Sequence, residues 1–357
     1  ADLLGLTWPV QPVDPAWVVH LGDRKVTQWS NRALWQAEFR SHFPEGATFL
    51  EKQEHLANLA WDVSSRPFPW PPSSLSDLPR LLAAMRPATL LAAPYALQTV
   101  SSLLPADASP LLRTFVDAQL LISAQTGSGQ ANALYGSAAF DLPRRGVNHV
   151  HGGIGSLAVT LVDWIGANGG QVIHRQQVEE IIVRSGRAVA VRTRKGLELP
   201  CDVLLGNLTP WGLTSLLNGS TPTRLKRELA ERPPTRGAFT LYLGLESAGL
   251  GQPASDHFQV IADPGRPLGE GNSVFISLSP LDDPRRAPVG MRAATLSTHT
   301  VIKDWELPED AFQARRAVMT EKLLASAEMA LPGLRNATRL QLDGTPRAFA
   351  FFSRRPD

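Results

Sequence analysis

A single cysteine, Cys201, stands in 357 residues. That excludes an internal disulfide and any zinc site built on two thiolates of one chain. Charge is sparse as well: Asp, Glu, Lys and Arg make up 19% of the residues, against ~25% in typical soluble domains. Lysine supplies only six of the 35 basic residues, so arginine carries nearly all the positive charge. The formal net charge is +2. There is no concentrated basic excess of the kind a duplex-binding domain shows, and the aromatics are not interleaved with basic residues as a base-stacking platform requires. Nucleic acid is therefore not an expected partner. Missing too is a run of ~20 apolar residues long enough to span a bilayer. The nearest approach, the uncharged stretch 87–106, is broken by Pro87, Pro94 and Pro105 and diluted by Gln98, Thr99, Ser101 and Ser102.

Several chemical signatures are absent. No G-x-x-x-x-G-K-[ST] loop, no G-x-S-x-G elbow and no H-E-x-x-H helix occurs. His149 and His151 form an H-x-H pair, but without a nearby Cys or paired carboxylate they are expected to be ordinary histidines, and no metal is expected. Cys201 is expected to open an apolar strand as a buried, inert thiol. The sequons at Asn207, Asn218 and Asn336 follow no secretory pattern and are expected to be chance matches.

What is present is ample apolar content, 43% of the chain, and a length that suits roughly two domains. Strands are expected at 17–21 and 26–29, and helices at 32–43, 49–65 and 110–126. Residues 66–79 are a proline-rich loop, and 78–104 are short helices broken at prolines. From Gly146 onward the pattern becomes α/β. Gly152, Gly153 and Gly155 precede a helix at 156–167, which Gly169 and Gly170 stop. A strand at 171–174, a hairpin of 180–184 and 188–194 around Ser185-Gly186, and a short buried strand at 203–206 follow. A charged helix at 222–232 leads into four strands, 238–245, 258–262, 273–279 and 292–298, expected to form an antiparallel sheet. A long helix at 308–330 comes last, its start made acidic by Glu309 and Asp310. The class is α/β, or α+β.

The glycine cluster before 156–167 has two readings. Glycines ahead of a helix let an anionic ligand approach backbone amides; they also serve a plain tight loop. Gly153, Gly155 and Ala158 match G-x-G-x-x-A, but Arg144 to His151 is not a buried strand, so the dinucleotide fingerprint is not complete.

The order GGIGSL, helix, GG, VEEI, hairpin, DVLLGNLTP over 152–210 resembles the FAD-dependent phytoene desaturase family of carotenoid desaturases, isomerases and ketolases, related to the amine oxidases. NALYG (132–136), LPRRGVNHVHGG, FTLYLGL (239–245) and the terminal GTPRAFAFFSRRPD are similar to the family as well, most nearly to the bacterial acyclic-carotenoid 3,4-desaturases. The resemblance implies FAD as cofactor and a carotenoid as substrate, with double bonds introduced by hydride transfer to the flavin. It implies a substrate region at 1–150 and 211–345, and a piece of a Rossmann-like flavin domain at 151–210. Residues 346–357 would open a second flavin segment. Under it Gly152, Gly153, Gly155, Val178 and Asn207 would touch the cofactor. Tyr135 and Phe140 would line an apolar tunnel, and Arg113 and Asp117, at i and i+4, would be an acid/base pair or a plain helix-surface pair. Substrate from a bilayer implies a cytoplasmic enzyme in peripheral contact with the membrane, with 87–106 as the dipping element or as core helices. The family's opening G-x-G-x-x-G and closing glycine-rich segments are not in the sequence, so the chain is expected to be part of a longer flavoenzyme and to bind FAD weakly or not at all by itself. An isomerase, an amine-oxidase-like enzyme, or a non-catalytic module for an apolar ligand are the alternatives.

Overall fold

In the run Phe239, Leu241, Leu243, Leu245 every second side chain is at most 3% exposed, the period-2 signature of a strand with one face in a core. That strand lies second from one edge of the main sheet. The computed structural model describes residues 2–66, 74–80, 86, 92–231 and 235–353. In chain order the elements are β1 (Val10–Val13), β2 (Trp17–Leu21), β3 (Arg24–Gln28), α1 (Arg32–His42), α2 (Ala47–Ser64), α3 (Pro110–Ala124), α4 (Ala133–Phe140), β4 (Val147–Val150) and α5 (Gly155–Ala167). Then come β5 (Val178–Arg184), β6 (Arg187–Thr193), β7 (Glu198–Pro200), α6 (Pro210–Leu216), α7 (Thr223–Glu231), β8 (Arg236–Glu246), β9 (His257–Ile261), β10 (Ser273–Leu278) and β11 (Met291–Val301). The last are α8 (Glu309–Ala330), α9 (Leu334–Ala337), β12 (Thr338–Gly344) and α10 (Pro346–Ser353).

Among the described residues the main sheet has seven strands in the order β12-β8-β11-β10-β9-β2-β3. Every pairing is antiparallel except β2 with β9. The amino-terminal hairpin β2–β3 thus extends a sheet otherwise made from the last third of the chain. Two cores sit on opposite faces. One packs Phe239, Leu241, Leu243, Ile276 and Leu296 under α8, which turns Met319, Leu323, Leu324 and Ala327 inward. The other packs Val19, Leu21, Val26 and Ile261 against α1 to α4. Its centre is Phe115, fully buried among Trp35, Phe39, Phe43 and Phe140.

Local sequence sets the helix ends. The Asn31 side chain accepts from the amides of Ala33 and Leu34 and opens α1. Ser109 accepts from Leu112 N ahead of Pro110 and opens α3, and Asn132 of the NALYG run accepts from Leu134 and Tyr135 and opens α4. These are N-caps, which satisfy amides the first turn leaves free. The Asp141 carboxylate, buried just beyond α4, is gripped by Arg144 and Arg145.

In the segment 151–210 the expected helix and hairpin are present, as α5 and β5–β6, but two further expected strands are not. It contributes no strand to the main sheet; it forms α5 and the separate antiparallel sheet β5-β6-β7. Residues 171–174 and 203–206 are not strands, and Val203 and Leu205 are 77% and 91% exposed. A buried strand needs neighbours to take up its backbone donors and acceptors, and these two runs have no strand beside them. Cys201, expected at the head of the second, is half-buried in a loop, its amide donating to Val189 O. Strands β1, β4, β7 and β12 and helix α4 went without a sequence assignment. Residues 67–73 of the proline-rich loop, 81–85 and 87–91 of the run 78–104, residue 232 and 354–357 lie outside the described residues. Of the uncharged stretch, Val100, Leu103 and Leu104 are buried in the helical core and Leu97 is 95% exposed.

Candidate functional site between the main sheet and helix α3

Residues that pair across β2, β9, β10, β11 and β8 share a face, so Trp17, His257, Gln259, Phe275, Ser297 and Tyr242 all stand opposite the α8 core. Helices α1 to α4 cover this face from its β3 edge to β9, and the end of α3 reaches His299 on β11. Toward β8 and β12 it opens: Tyr242, Leu340 and Leu342 are exposed.

Where α3 crosses the face, two cavities form. The first, about 410 Å³, is mainly apolar and is lined by Trp17, Ile122, Phe140, Leu142, Pro143 and Val147, among others. The second, about 240 Å³, is lined by Ile122, Gln125, Gln259, Phe275, Ser297 and His299, with further sheet residues. Between them runs a chain of amides. Trp17 Nε1 donates to Gln119 Oε1 (3.1 Å), Gln119 Nε2 donates to Gln259 Oε1, and Gln259 Nε2 donates to Ala118 O (2.9 Å). Both glutamines are buried, and the bonds offset the cost of placing amides in an apolar wall.

Beside the cavities lies a charged cluster. Asp256 accepts from His149 Nε2 or shares its proton (2.9 Å) and is paired with Arg292. Burial pushes the Asp256 carboxyl up, but the hydrogen bonds and charges of His149 and Arg292 outweigh burial and leave its pKa lowered. His257 stacks on Phe275 and lies 5.0 Å from His149, centre to centre. Its Nδ1 is buried without a partner among the described residues. Burial first, then the neighbouring His149, lower its pKa to about 4.

Phe140 and Tyr135 part company. Phe140 is 5% exposed and does line the apolar cavity. Tyr135 is 59% exposed, its hydroxyl donating to Ser123 O on α3. The structure does not join Arg113 and Asp117 as an ion pair. The Arg113 guanidinium donates to Ala108 O and Pro105 O, and the Asp117 carboxylate accepts from Ser128 N. Each holds a loop against α3.

The glycine turn is occupied from within the chain. Gly152 and Gly153 have φ of 75° and 82°, the left-handed region that glycine enters without strain. Gly152 N donates to the Asp283 carboxylate, which also accepts from Arg285 N. The Gly152 amide first, then Arg285, holds the Asp283 pKa below the usual carboxylate value against the opposing effect of burial. A Cβ on Gly153 would meet the Arg286 guanidinium at 2.6 Å. A pyrophosphate needs open amides and room at a helix N-terminus. Here a carboxylate holds the Gly152 amide and arginines crowd the turn. Val178 and Asn207 sit at the edge of β5 and in an exposed loop. The described residues therefore do not by themselves form a flavin cradle. No group of three or more His, Cys, Asp or Glu placed to hold a metal occurs among them, and no described helix is long and apolar enough to cross a membrane.

Sequence reasoning missed Trp17, Gln119, Ile122, Gln259, His257 and Phe275. They come from four elements distant in the chain, and no local motif links them. The strand pattern at 17–21 and 258–262 marked their backbone but not their shared face.

No protein-family model matches the chain. Among curated proteins it is 26% identical over 249 residues to the chloroplastic prolycopene isomerase of Arabidopsis thaliana, covering 68% of this chain and 42% of that protein. It is 25% identical over 246 residues to a 4,4'-diapophytoene desaturase of Methylomonas, covering 66% and 46%. A neurosporene-forming phytoene desaturase of Rhodobacter capsulatus is 24% identical over 234 residues, covering 57% and 42%. The chain thus spans less than half the length of these relatives. Among solved structures a Pyrococcus furiosus protein aligns with a TM-score of 0.59 at 14% identity, over 96% of this chain and 70% of that one. A redesigned putrescine oxidase aligns with 0.56 at 12% identity, over 96% and 69%. By sequence the chain is a relative of the carotenoid desaturases and isomerases, and its mixed α/β fold is shared with the P. furiosus protein and the putrescine oxidase.

Proposed function

We propose that this chain is the substrate-binding body of a flavin-dependent oxidoreductase that acts on a carotenoid, with dehydrogenation of the polyene as the reaction. The observation that carries the reading is the apolar cavity of about 410 Å³ walled by Trp17, Ile122, Phe140 and Val147 beside the open sheet face. Concave, mainly apolar sites with few fixed polar groups suit a long hydrocarbon. The likeness to desaturases and isomerases supplies the substrate class. FAD is proposed as the electron acceptor of the complete enzyme, and the hard chemistry would be the cofactor's. Polypeptide beyond the described residues would have to complete its site, with Gly155, Val178 and Asn207 contributing at most an edge. For this chain the task is to bind and orient the polyene.

The test is co-elution of the purified chain with lycopene from detergent micelles. Phe140→Asp and Val147→Asp place charges in the cavity, and each should cut retained carotenoid at least tenfold. Unchanged retention, or none by the parent chain, overturns the reading. The purified chain should also lack a flavin absorbance band; stoichiometric flavin would show that the glycine turn opens despite Asp283. Isomerisation is a second reading, favoured by the match to prolycopene isomerase over 68% of the chain. Product analysis of a complete enzyme, a new double bond against a changed double-bond geometry, separates the two. Peripheral membrane contact belongs to the same proposal and rests on Leu97, almost fully exposed in the middle of the uncharged stretch 87–106. Leu97→Asp should reduce liposome flotation; equal flotation removes that element.

A further inference from the structure

The two cavities beside α3 share one wall. Ile122 lines both. Trp17 of the apolar cavity meets Phe275 of the other edge to face, 6.1 Å between ring centres. Gln119 of the first is hydrogen-bonded to Gln259 of the second. Ile122, the paired amides and the two rings together form the wall between the cavities. A rotamer change of Ile122 moves a few methyl groups and breaks no hydrogen bond.

The far cavity differs in chemistry. Gln125 follows the last residue of α3 with φ of 57°, which swings its side chain out of the helix line toward β11. Gln125 Oε1 lies 2.9 Å from His299 Nε2. With His299 as donor, both amide hydrogens of Gln125 stay without a partner among the described residues. The Ser297 hydroxyl, next along the same face, also has none there. Burial first, then the charge of Arg236, lowers the His299 pKa, so the imidazole is neutral near neutral pH. Thus an apolar cavity leads past one isoleucine to a cluster of uncharged hydrogen-bonding groups that ends at the exposed Gln125.

We propose that the second cavity is an end-group subsite. A long apolar ligand lies with its chain in the Trp17–Phe140 cavity, passes Ile122, and sets a neutral oxygen function, hydroxyl or carbonyl, against Gln125, Ser297 and His299. Ile122 determines which ligands reach the subsite. A carboxylate is disfavoured, because no cation lines the cavity and a charge loses much of its hydration there. This deepens the carotenoid reading and rests on it, since the chain of the ligand occupies the same apolar cavity.

The experiment titrates the full chain with three probes of equal chain length: geranylgeraniol, its parent hydrocarbon lacking oxygen, and geranylgeranoic acid. Binding is read by quenching of tryptophan fluorescence, with Trp17→Phe to locate the signal. The alcohol should bind roughly tenfold more tightly than the hydrocarbon, as one or two net hydrogen bonds allow. The acid should bind no better than the hydrocarbon. Ser297→Ala combined with Gln125→Gly, the latter suited to a positive φ, should erase the preference for the alcohol over the hydrocarbon. Ile122→Trp, which plugs the partition, should erase it too. Equal binding of alcohol and hydrocarbon by the parent chain, or a preference that survives these variants, overturns the end-group subsite and leaves the apolar cavity standing. Tighter binding of the acid overturns it in favour of an ion pair with Arg236. Failure of all three probes overturns this inference and the carotenoid reading together.

Discussion

Helices α3 and α5 are alike on paper. They have 15 and 13 residues and are rich in Leu, Val, Ile and Ala. In the fold they are opposites. Helix α3 buries Leu112, Phe115, Val116, Ala118, Gln119, Leu120 and Leu121 between the main sheet and its neighbours. Helix α5 buries none of its residues, and Val159, Leu161 and Ile165 are exposed. The difference is the partner, not the pattern. Hydrophobic periodicity says that a helix has a face to bury; only the presence of another surface decides whether it does. The α3 region is a finished core beside two cavities, whereas the α5 region is an apolar face without a described cover.

The largest expected contrast is energetic. Phe115→Ala should destabilise the chain by about 3–5 kcal/mol, the usual cost of emptying a buried phenylalanine site, read as a shift of the urea midpoint. Leu161→Ala on α5 should change stability by less than about 0.5 kcal/mol, as exposed positions do. Comparable costs at the two sites would break the comparison.

Acid should then act on the finished region. His20 and His257 both have a folded pKa of about 4 against an ordinary 6.5. Burial is the main cause in each, aided by Lys25 at His20 and His149 at His257. As pH falls, the unfolded chain takes up these protons first. The stability that neutral imidazoles contribute is whole above 6.5 and is lost on the way down to 4. The loss approaches ~1.4 kcal/mol per pH unit for each histidine. His257→Gln should remove about half of that slope in thermal melts between these values. An unchanged slope would mean that the imidazole titrates normally in the fold.

The third contrast is local. Amides of α5 should exchange with solvent many-fold faster than those of α3, since exposed helices open at little cost. Asp283→Ala removes the carboxylate that holds the glycine turn and should raise exchange at Gly152 by roughly tenfold, in keeping with a lost charge-assisted hydrogen bond. Exchange in α3 should not move. Equal protection of α3 and α5 in the parent chain would show that the apolar face of α5 is covered in solution.

Much of the architecture was legible residue by residue. The strand at 17–21 and the helices at 32–43, 110–126 and 308–330 were read within about two residues of their ends, because caps such as Asn31 and Ser109 and the acidic start at Glu309 act locally. The runs at 171–174 and 203–206 misled for the opposite reason. QVIH and VLLG have strand composition, but strand formation depends on a neighbour to pair with. Strands β1 and β4 escaped because each is short, with little alternation of its own, and is recruited by its partner. Of the site, Phe140 could be singled out as an aromatic near the NALYG run, and Trp17 lay on a recognised strand. Nothing in the spacing joined either of them to Gln259, Phe275 or Ile122.

The sequence by itself determined the caps, the glycine turn with positive φ, the alternation of β8 and the family likeness, since these are encoded in short-range order and in the succession of motifs. Tertiary structure alone decided that β2 lies beside β9, that Asp283 reaches across 131 residues to the Gly152 amide, and that Ile122 lines both the apolar cavity and the one that carries Gln125, Ser297 and His299. The physical reason is range: backbone propensity and capping act over a few residues, whereas burial, pairing and cavities exist only where remote segments meet.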